Sequence, residues 1–128
     1  MQIKLEYLSA LKFNLETWRR ELRFHFDEMD TFQEKLEEIA CRELNHDAQK
    51  GLEIFQNRIM IEKAAIAKLK HRCKAKMKEL QFTDLAENID GRMHEEQHPL
   101  RDDMRTYIKL HYDLKEEMMN YFAKYLQE

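Results

Sequence analysis

Apolar side chains recur at alternating spacings of four and three residues through the first third of the chain. The positions in this register are Leu11, Leu15, Trp18, Leu22, His25, Met29, Phe32, Leu36, Ile39, Glu43 and His46. A heptad repeat of this kind is typical of a helix that packs along its length against other helices. The pattern therefore predicts one long first helix in a coiled coil or bundle, with ionisable side chains in its seam.

A second helical stripe follows a turn that we predict between Asn45 and Gly51, where Asp47 could cap the next helix or Gly51 could end the previous one. The positions of this stripe are Leu52, Phe55, Ile59, Glu62, Ile66, Leu69, Cys73 and Met77 or Leu80. They follow the period of an amphipathic helix, and the opposite face is charged. A second long helix is therefore expected.

A third helix is predicted to begin near Asp84, which forms a capping-box pattern with Glu87. Because Pro99 removes one backbone hydrogen bond, the helix is expected to be kinked or broken near that residue. The buried stripe after the proline consists of Leu100, Met104, Tyr107, His111, Leu114, Met118, Tyr121 and Tyr125.

The composition agrees with an all-α fold. The chain has 128 residues, of which 43% are hydrophobic and 37% charged, with two glycines and one proline. These values are typical of long helices, and the length suits one domain over residues 1–128. We predict an elongated antiparallel three-helix bundle. This shape, with Trp18 in the first helix, resembles spectrin-repeat-like three-helix coiled coils, and the resemblance implies architecture but no function.

Charge and cysteine usage limit the partners. The net charge is -3 and the pI is near 6.1, which gives no general attraction to nucleic acid. The basic segment from Lys68 to Lys78 is explained by pairing with acidic side chains on the neighbouring helices, so a nucleic-acid partner is not expected. No apolar stretch is long enough for a membrane span or a signal peptide. With Cys41 and Cys73 expected to be reduced, a cytoplasmic location is predicted.

Seam histidines and glutamates are the candidates for a metal site. Turns centred near residues 48 and 82 would place His25 level with His71 and with Met93 or His94. The same register groups Glu43 with Glu53 and His111. Two candidate ligand sets follow, which are His25, His71 and His94, or Glu43, His46 and His111. The segments Glu43-Leu-Asn-His46 and Glu95-Glu-Gln-His98 resemble the Glu-x-x-His motif of ferritin-like carboxylate proteins, which implies a metal-binding alternative.

A wide apolar arc on the third helix favours an interaction role. Beside the main stripe lies a second stripe whose members are candidates for partner binding: Ile108, Tyr112, Met119 and Phe122. The chain has no nucleophile motif, phosphate-binding loop or dinucleotide fingerprint, so neither an enzyme nor a cofactor is expected. The sequence favours a non-enzymatic interaction or scaffolding module that binds a protein partner or a second copy. The buried seam residues His25, Glu43, Glu62 and His111 would then set helix alignment.

Overall fold

Three long helices account for the described structure, which is a computed structural model. It describes residues 2–81 and 92–126, and the side chains within residues 9–81 and 98–126. The helices are α1 (Gln2–Ala40), α2 (His46–Gln81) and α3 (Arg92–Tyr125). α2 runs antiparallel to both α1 and α3, and α1 packs most extensively against α2. The predicted all-α three-helix bundle is confirmed. At 1.5 Å per residue, α1 alone is about 58 Å long, so the bundle is elongated.

The core is built from the three predicted stripes. In α1, every seam position from Leu11 to Ile39 is buried except Trp18, which is half-buried against the core. In α2 and α3 the buried positions also follow the predicted stripes, and they include the polar residues Glu62 and His111. The periodicity of each helix therefore identified the side chains that face its neighbours.

The first connection differs from its prediction. α1 ends at Ala40, so Glu43 and His46 do not continue its buried seam, and both are exposed. α2 begins directly after Asn45, whose side-chain Oδ1 accepts a hydrogen bond of 2.8 Å from the backbone N–H of Ala48. Asn45 is thus the N-cap of α2 in place of Asp47, because its side chain satisfies a backbone donor in the first turn. The turn lies earlier than the predicted interval from Asn45 to Gly51.

The second connection falls on residues 82–91, so the predicted capping box of Asp84 and Glu87 lies outside the described residues. α3 continues through Pro99. A kink or a break was predicted at this residue, and the continuous helix excludes the break. A proline removes a single backbone donor, and the long buried stripe that follows holds the remainder of α3 against the other two helices. No helix in the described ranges has an apolar stretch long enough to cross a membrane.

Aromatic side chains close the end of the bundle near the first connection. The Tyr121 hydroxyl donates a hydrogen bond of 2.7 Å to the carbonyl oxygen of Ala48, and the Tyr121 ring packs against Phe55. Gly51 provides the space for this ring, because an added Cβ would lie 2.5 Å from Tyr121 Cε2. A guanidinium nitrogen of Arg42 donates to the backbone oxygen of Tyr125 at 2.9 Å, which satisfies a carbonyl at the end of α3.

The contact between Gly51 and Tyr121 predicts that Gly51→Ala destabilises the protein. Alanine gains about 1 kcal/mol of helix propensity, but overpacking a buried ring costs about 1–3 kcal/mol, so we expect a net loss of about 1 kcal/mol. Urea unfolding followed by circular dichroism measures the change. Gln56→Ala, at an exposed position of the same helix, should change the free energy of unfolding by less than about 0.5 kcal/mol. A Gly51→Ala variant more stable than the wild type would show that Tyr121 moves aside without penalty.

Candidate functional site: a buried histidine and carboxylate cluster

The bundle buries a group of polar side chains halfway along its length. Among the described residues, the buried polar or charged side chains are His25 from α1, Glu62 from α2 and His111 from α3. Each occupies a seam position of its own helix, and the packing of the three helices brings all of them to one level. Together with Glu28, Tyr107 and Lys115, they form what we call the polar cluster.

His111 is the centre of the polar cluster. Its Nδ1 lies 2.9 Å from Oε1 of Glu62, and its Nε2 lies 3.0 Å from Oε1 of Glu28. Lys115 donates to the other Glu28 oxygen at 2.8 Å. A histidine with a carboxylate at each ring nitrogen is satisfied when both nitrogens carry protons, because each N–H then donates to a carboxylate. The Lys115 ammonium balances the charge of the Glu28 carboxylate.

His25 completes the cluster as a neutral ring. It is stacked on His111, with ring centroids 3.7 Å apart and an interplanar angle of 6°. Its Nδ1 lies 2.8 Å from the Tyr107 hydroxyl, and its Nε2 lies 3.9 Å from Oε1 of Glu21. The pKa of His25 is lowered from 6.5 to about 4, first by burial and then by the charge of His111. We therefore assign the tautomer in which Tyr107 donates to Nδ1 and the Nε2 proton points toward Glu21.

The remaining ionisable groups support this assignment. Burial acts to raise the pKa of Glu28, but the hydrogen bonds from Lys115 and His111 outweigh it, so the net pKa is lowered and Glu28 is held as a carboxylate. Burial raises the pKa of Tyr107, and the negative charge of Glu62 raises it further. Tyr107 therefore remains a hydrogen-bond donor at neutral pH.

The two ligand sets predicted from the sequence are not brought together. His71 lies on the exposed face of α2, and the side chain of His94 lies outside the described residues, so neither is seen beside His25. Glu43 and His46 are exposed in or beside the first connection, away from His111. The predicted level of His111 with Glu53 was wrong. α2 continues to Gln81 before the connection to α3, and His111 lies level with Glu62, about two and a half turns further along α2 than Glu53.

The arrangement suits mutual hydrogen bonding better than metal coordination. Within residues 9–81 and 98–126, no three His, Cys, Asp or Glu side chains are arranged to hold a metal ion. Both nitrogens of His111 already face carboxylate oxygens, so both are engaged in hydrogen bonds within the polar cluster. Cys73 is buried and unpaired, and burial raises the pKa of its thiol to about 11, which keeps the sulfur protonated.

Two members of the polar cluster, Glu28 and Lys115, were missed by the seam pattern. Glu28 follows His25 by three residues, and Lys115 follows His111 by four, so both lie one turn away on the same helical face. Tyr107 precedes His111 by one turn and was identified only as a core residue. Their spacing of three or four residues from His25 and His111 could have indicated them. Spacing within one helix does not show, however, which side chains meet across helices.

The buried hydrogen bond between His111 and Glu62 predicts strong coupling between the two residues. His111→Leu leaves Glu62 with no hydrogen-bond donor and removes one from Glu28, which should cost about 3 kcal/mol in the free energy of unfolding. In the double variant His111→Leu with Glu62→Leu, the unpaired Glu62 carboxylate is gone while Glu28 keeps Lys115. We expect the double variant to recover at least half of the loss in urea denaturation. A double variant whose loss of unfolding free energy equals the sum of the losses of the two single variants would contradict the coupling.

The neutral His25 predicts that stability falls as the solution becomes acidic. His25 binds its proton near pH 6.5 in the unfolded chain but only near pH 4 in the folded protein. The unfolded state therefore binds more protons in this interval, and the free energy of unfolding should fall by about 2 kcal/mol between pH 7.5 and pH 5.

Urea denaturation of His25→Gln across the same pH range tests this assignment. The variant should lose most of the pH dependence, because glutamine does not titrate. His71→Gln, which removes an exposed histidine from α2, is the matched control and should keep the wild-type dependence. An unchanged pH profile in His25→Gln would assign the effect to another group.

Comparison of the chain with protein-family models, with curated proteins and with solved structures finds no match. The functional proposal that follows is therefore based on the side chains themselves.

Proposed function

We propose that the protein is a non-enzymatic interaction module that self-associates through an apolar surface between α1 and α3. This surface, the α1–α3 face, consists of Phe24 from α1 and Ile108, Tyr112 and Met119 from α3. Phe24 is 62% exposed, Tyr112 51% and Met119 53%, while Ile108 is half-buried against the core. Large apolar side chains that remain exposed next to one another are typical of protein interfaces.

The α1–α3 face directly covers the polar cluster. The rings of Phe24 and Tyr112 both lie edge-on to His25, with centroid distances of 6.2 and 6.0 Å. Met119 follows Tyr112 by two helical turns on the same side of α3. Phe122 was also a candidate for this surface, but it is buried and packs against Phe32 with ring centroids 5.5 Å apart. Phe122 therefore contributes to the core, and Phe24 is the exposed aromatic residue of this surface that the sequence pattern missed.

Charges on α1 favour a second copy as the occupant of this face. Arg20 lies one turn before Phe24, and Asp27 lies one turn after it, on the same side of the helix. Both side chains are exposed. If two copies of α1 pair in antiparallel orientation around Phe24, Arg20 of each copy lies opposite Asp27 of the other. Self-complementarity of this kind is what a twofold-symmetric dimer requires.

The polar cluster supports a structural role over a catalytic one. Its two carboxylates are hydrogen-bonded to His111 and Lys115, and His25 and His111 are almost completely buried. A general acid or base must reach its substrate, and a nucleophile must be activated and accessible. Groups that satisfy one another inside a bundle instead specify how the helices align.

Sedimentation velocity across a range of protein concentrations tests self-association. The wild type should form a dimer, whereas Phe24→Glu and Met119→Glu should weaken the dimer at least about ten-fold, because each buries a charge in an apolar contact. Met60→Glu is the matched control, because Met60 is 69% exposed on the outer face of α2 and should leave the dimer unchanged. A wild type that remains monomeric at all concentrations would refute the proposal.

Charge reversal tests the antiparallel orientation separately. Arg20→Glu alone and Asp27→Arg alone should each weaken the dimer, because each places like charges opposite one another. The two changes in one chain exchange the partners and should restore dimerisation. A double variant that dimerises more weakly than both single variants would exclude this orientation. Self-association itself would still be tested by the Phe24→Glu variant.

A further inference from the structure

A groove lies between α2 and α3, on the side of α3 away from the α1–α3 face. Its volume is about 380 Å³. The lining residues are Arg58, Ile61, Glu62, Ala65, Tyr107, Leu110, Asp113, Leu114 and Glu117. Ile61 and Leu110 are 62% and 61% exposed, so the walls of the groove present apolar carbon to solvent. A volume of this size falls within the range of small-molecule sites.

Two of the carboxylates that line the groove keep an oxygen without a partner among the described residues. Glu62 is 8% exposed, and its Oε2 atom is buried with no hydrogen-bond partner in the described structure. Asp113 is exposed and makes no hydrogen bond or ion pair with the described residues. Glu117, by contrast, is paired with Arg58 at 2.7 Å, and this hydrogen bond lowers the pKa of Glu117. The groove therefore has an excess of negative charge and an unsatisfied acceptor at Glu62.

A buried carboxylate oxygen without a donor is costly, since it has lost its hydration without gaining a hydrogen bond. Within the polar cluster, Glu62 uses only Oε1, toward His111. A ligand that donates to Oε2 would supply the missing hydrogen bond. Donors on a cationic group suit the site best, because Asp113 adds a second negative charge to the same groove.

We propose that this groove binds a small organic cation that carries a primary ammonium group on an alkyl stem. The ammonium supplies three N–H donors to the carboxylates of Glu62 and Asp113. The stem packs against Ile61, Ala65 and Leu110, where apolar surface is otherwise exposed to water. The same carboxylates disfavour binding of an anion. A neutral alcohol of equal length should bind more weakly than the ammonium, because it lacks the positive charge that Asp113 attracts.

The test uses n-hexylammonium as the probe, with 1-hexanol and hexanoate as neutral and anionic analogues of equal length. In methyl and amide NMR titrations of the full chain, n-hexylammonium should bind saturably and shift the signals of Ile61, Ala65 and Leu110. Its affinity should exceed that of 1-hexanol at least about ten-fold, and hexanoate should not bind. Non-saturable shifts, or equal binding of amine and alcohol, would overturn the proposal.

Two variants locate the binding in the groove. Asp113→Asn should weaken n-hexylammonium about five-fold, whereas Glu116→Gln, an exposed acid on the adjacent face of α3, should leave the affinity unchanged. Ala65→Leu fills the groove with a larger side chain and should abolish binding, with circular dichroism confirming that the helices are retained. Equal affinities for Asp113→Asn and Glu116→Gln would refute the site even if the Ala65→Leu variant failed to fold.

Binding of n-hexylammonium in the groove is independent of self-association. The dimer proposal depends on Phe24, Tyr112 and Met119, none of which lines the groove. A Phe24→Glu variant should therefore bind n-hexylammonium as the wild type does, whether or not the wild type forms a dimer.

Discussion

The hydrogen bonds of His111 to Glu28 and Glu62 determine how the three helices align. Apolar seams of Leu, Ile and Met tolerate displacement by one heptad, because each position contacts similar neighbours after the shift. The polar cluster does not tolerate it, since displacing one helix would leave a carboxylate or an imidazole buried without a partner. The register in which His111 lies between both glutamates, at 2.9 and 3.0 Å, is therefore strongly preferred.

Stacking of His25 on His111 makes the two histidines unequal. At a centroid separation of 3.7 Å, two imidazolium rings would repel each other strongly, so protonation of one ring opposes protonation of the other. His111 has two carboxylate partners, whereas His25 has the Tyr107 hydroxyl and a distant Glu21 oxygen. The two histidines therefore have different roles. His111 connects the three helices through carboxylates, and His25 is a neutral ring that fills the core.

α3 connects this buried cluster to both proposed surfaces. Its buried stripe supplies Tyr107 and His111, its side toward α1 supplies Tyr112 and Met119, and its side toward α2 supplies Leu110 and Asp113. A helix whose apolar arc is wider than one seam cannot bury all of that arc against two neighbours. The excess surface is then available for a second copy on one side and for a small ligand on the other.

The sequence by itself determined the three helices, nearly all of the core and most of the buried polar residues, because amphipathic periodicity is a property of each helix alone. Glu43 was also expected to be buried, but α1 ends at Ala40 and Glu43 is exposed. His25, Glu62 and His111 were all recognised as seam residues from spacing. Only the tertiary structure decided that His111 meets Glu62 in place of Glu53 and that Phe122 is buried while Phe24 is exposed. It also decided that Oε2 of Glu62 has no donor within the described parts of the chain. These features depend on where the connections begin and end and on how side chains of different helices fit together, and no periodicity within one helix contains that information.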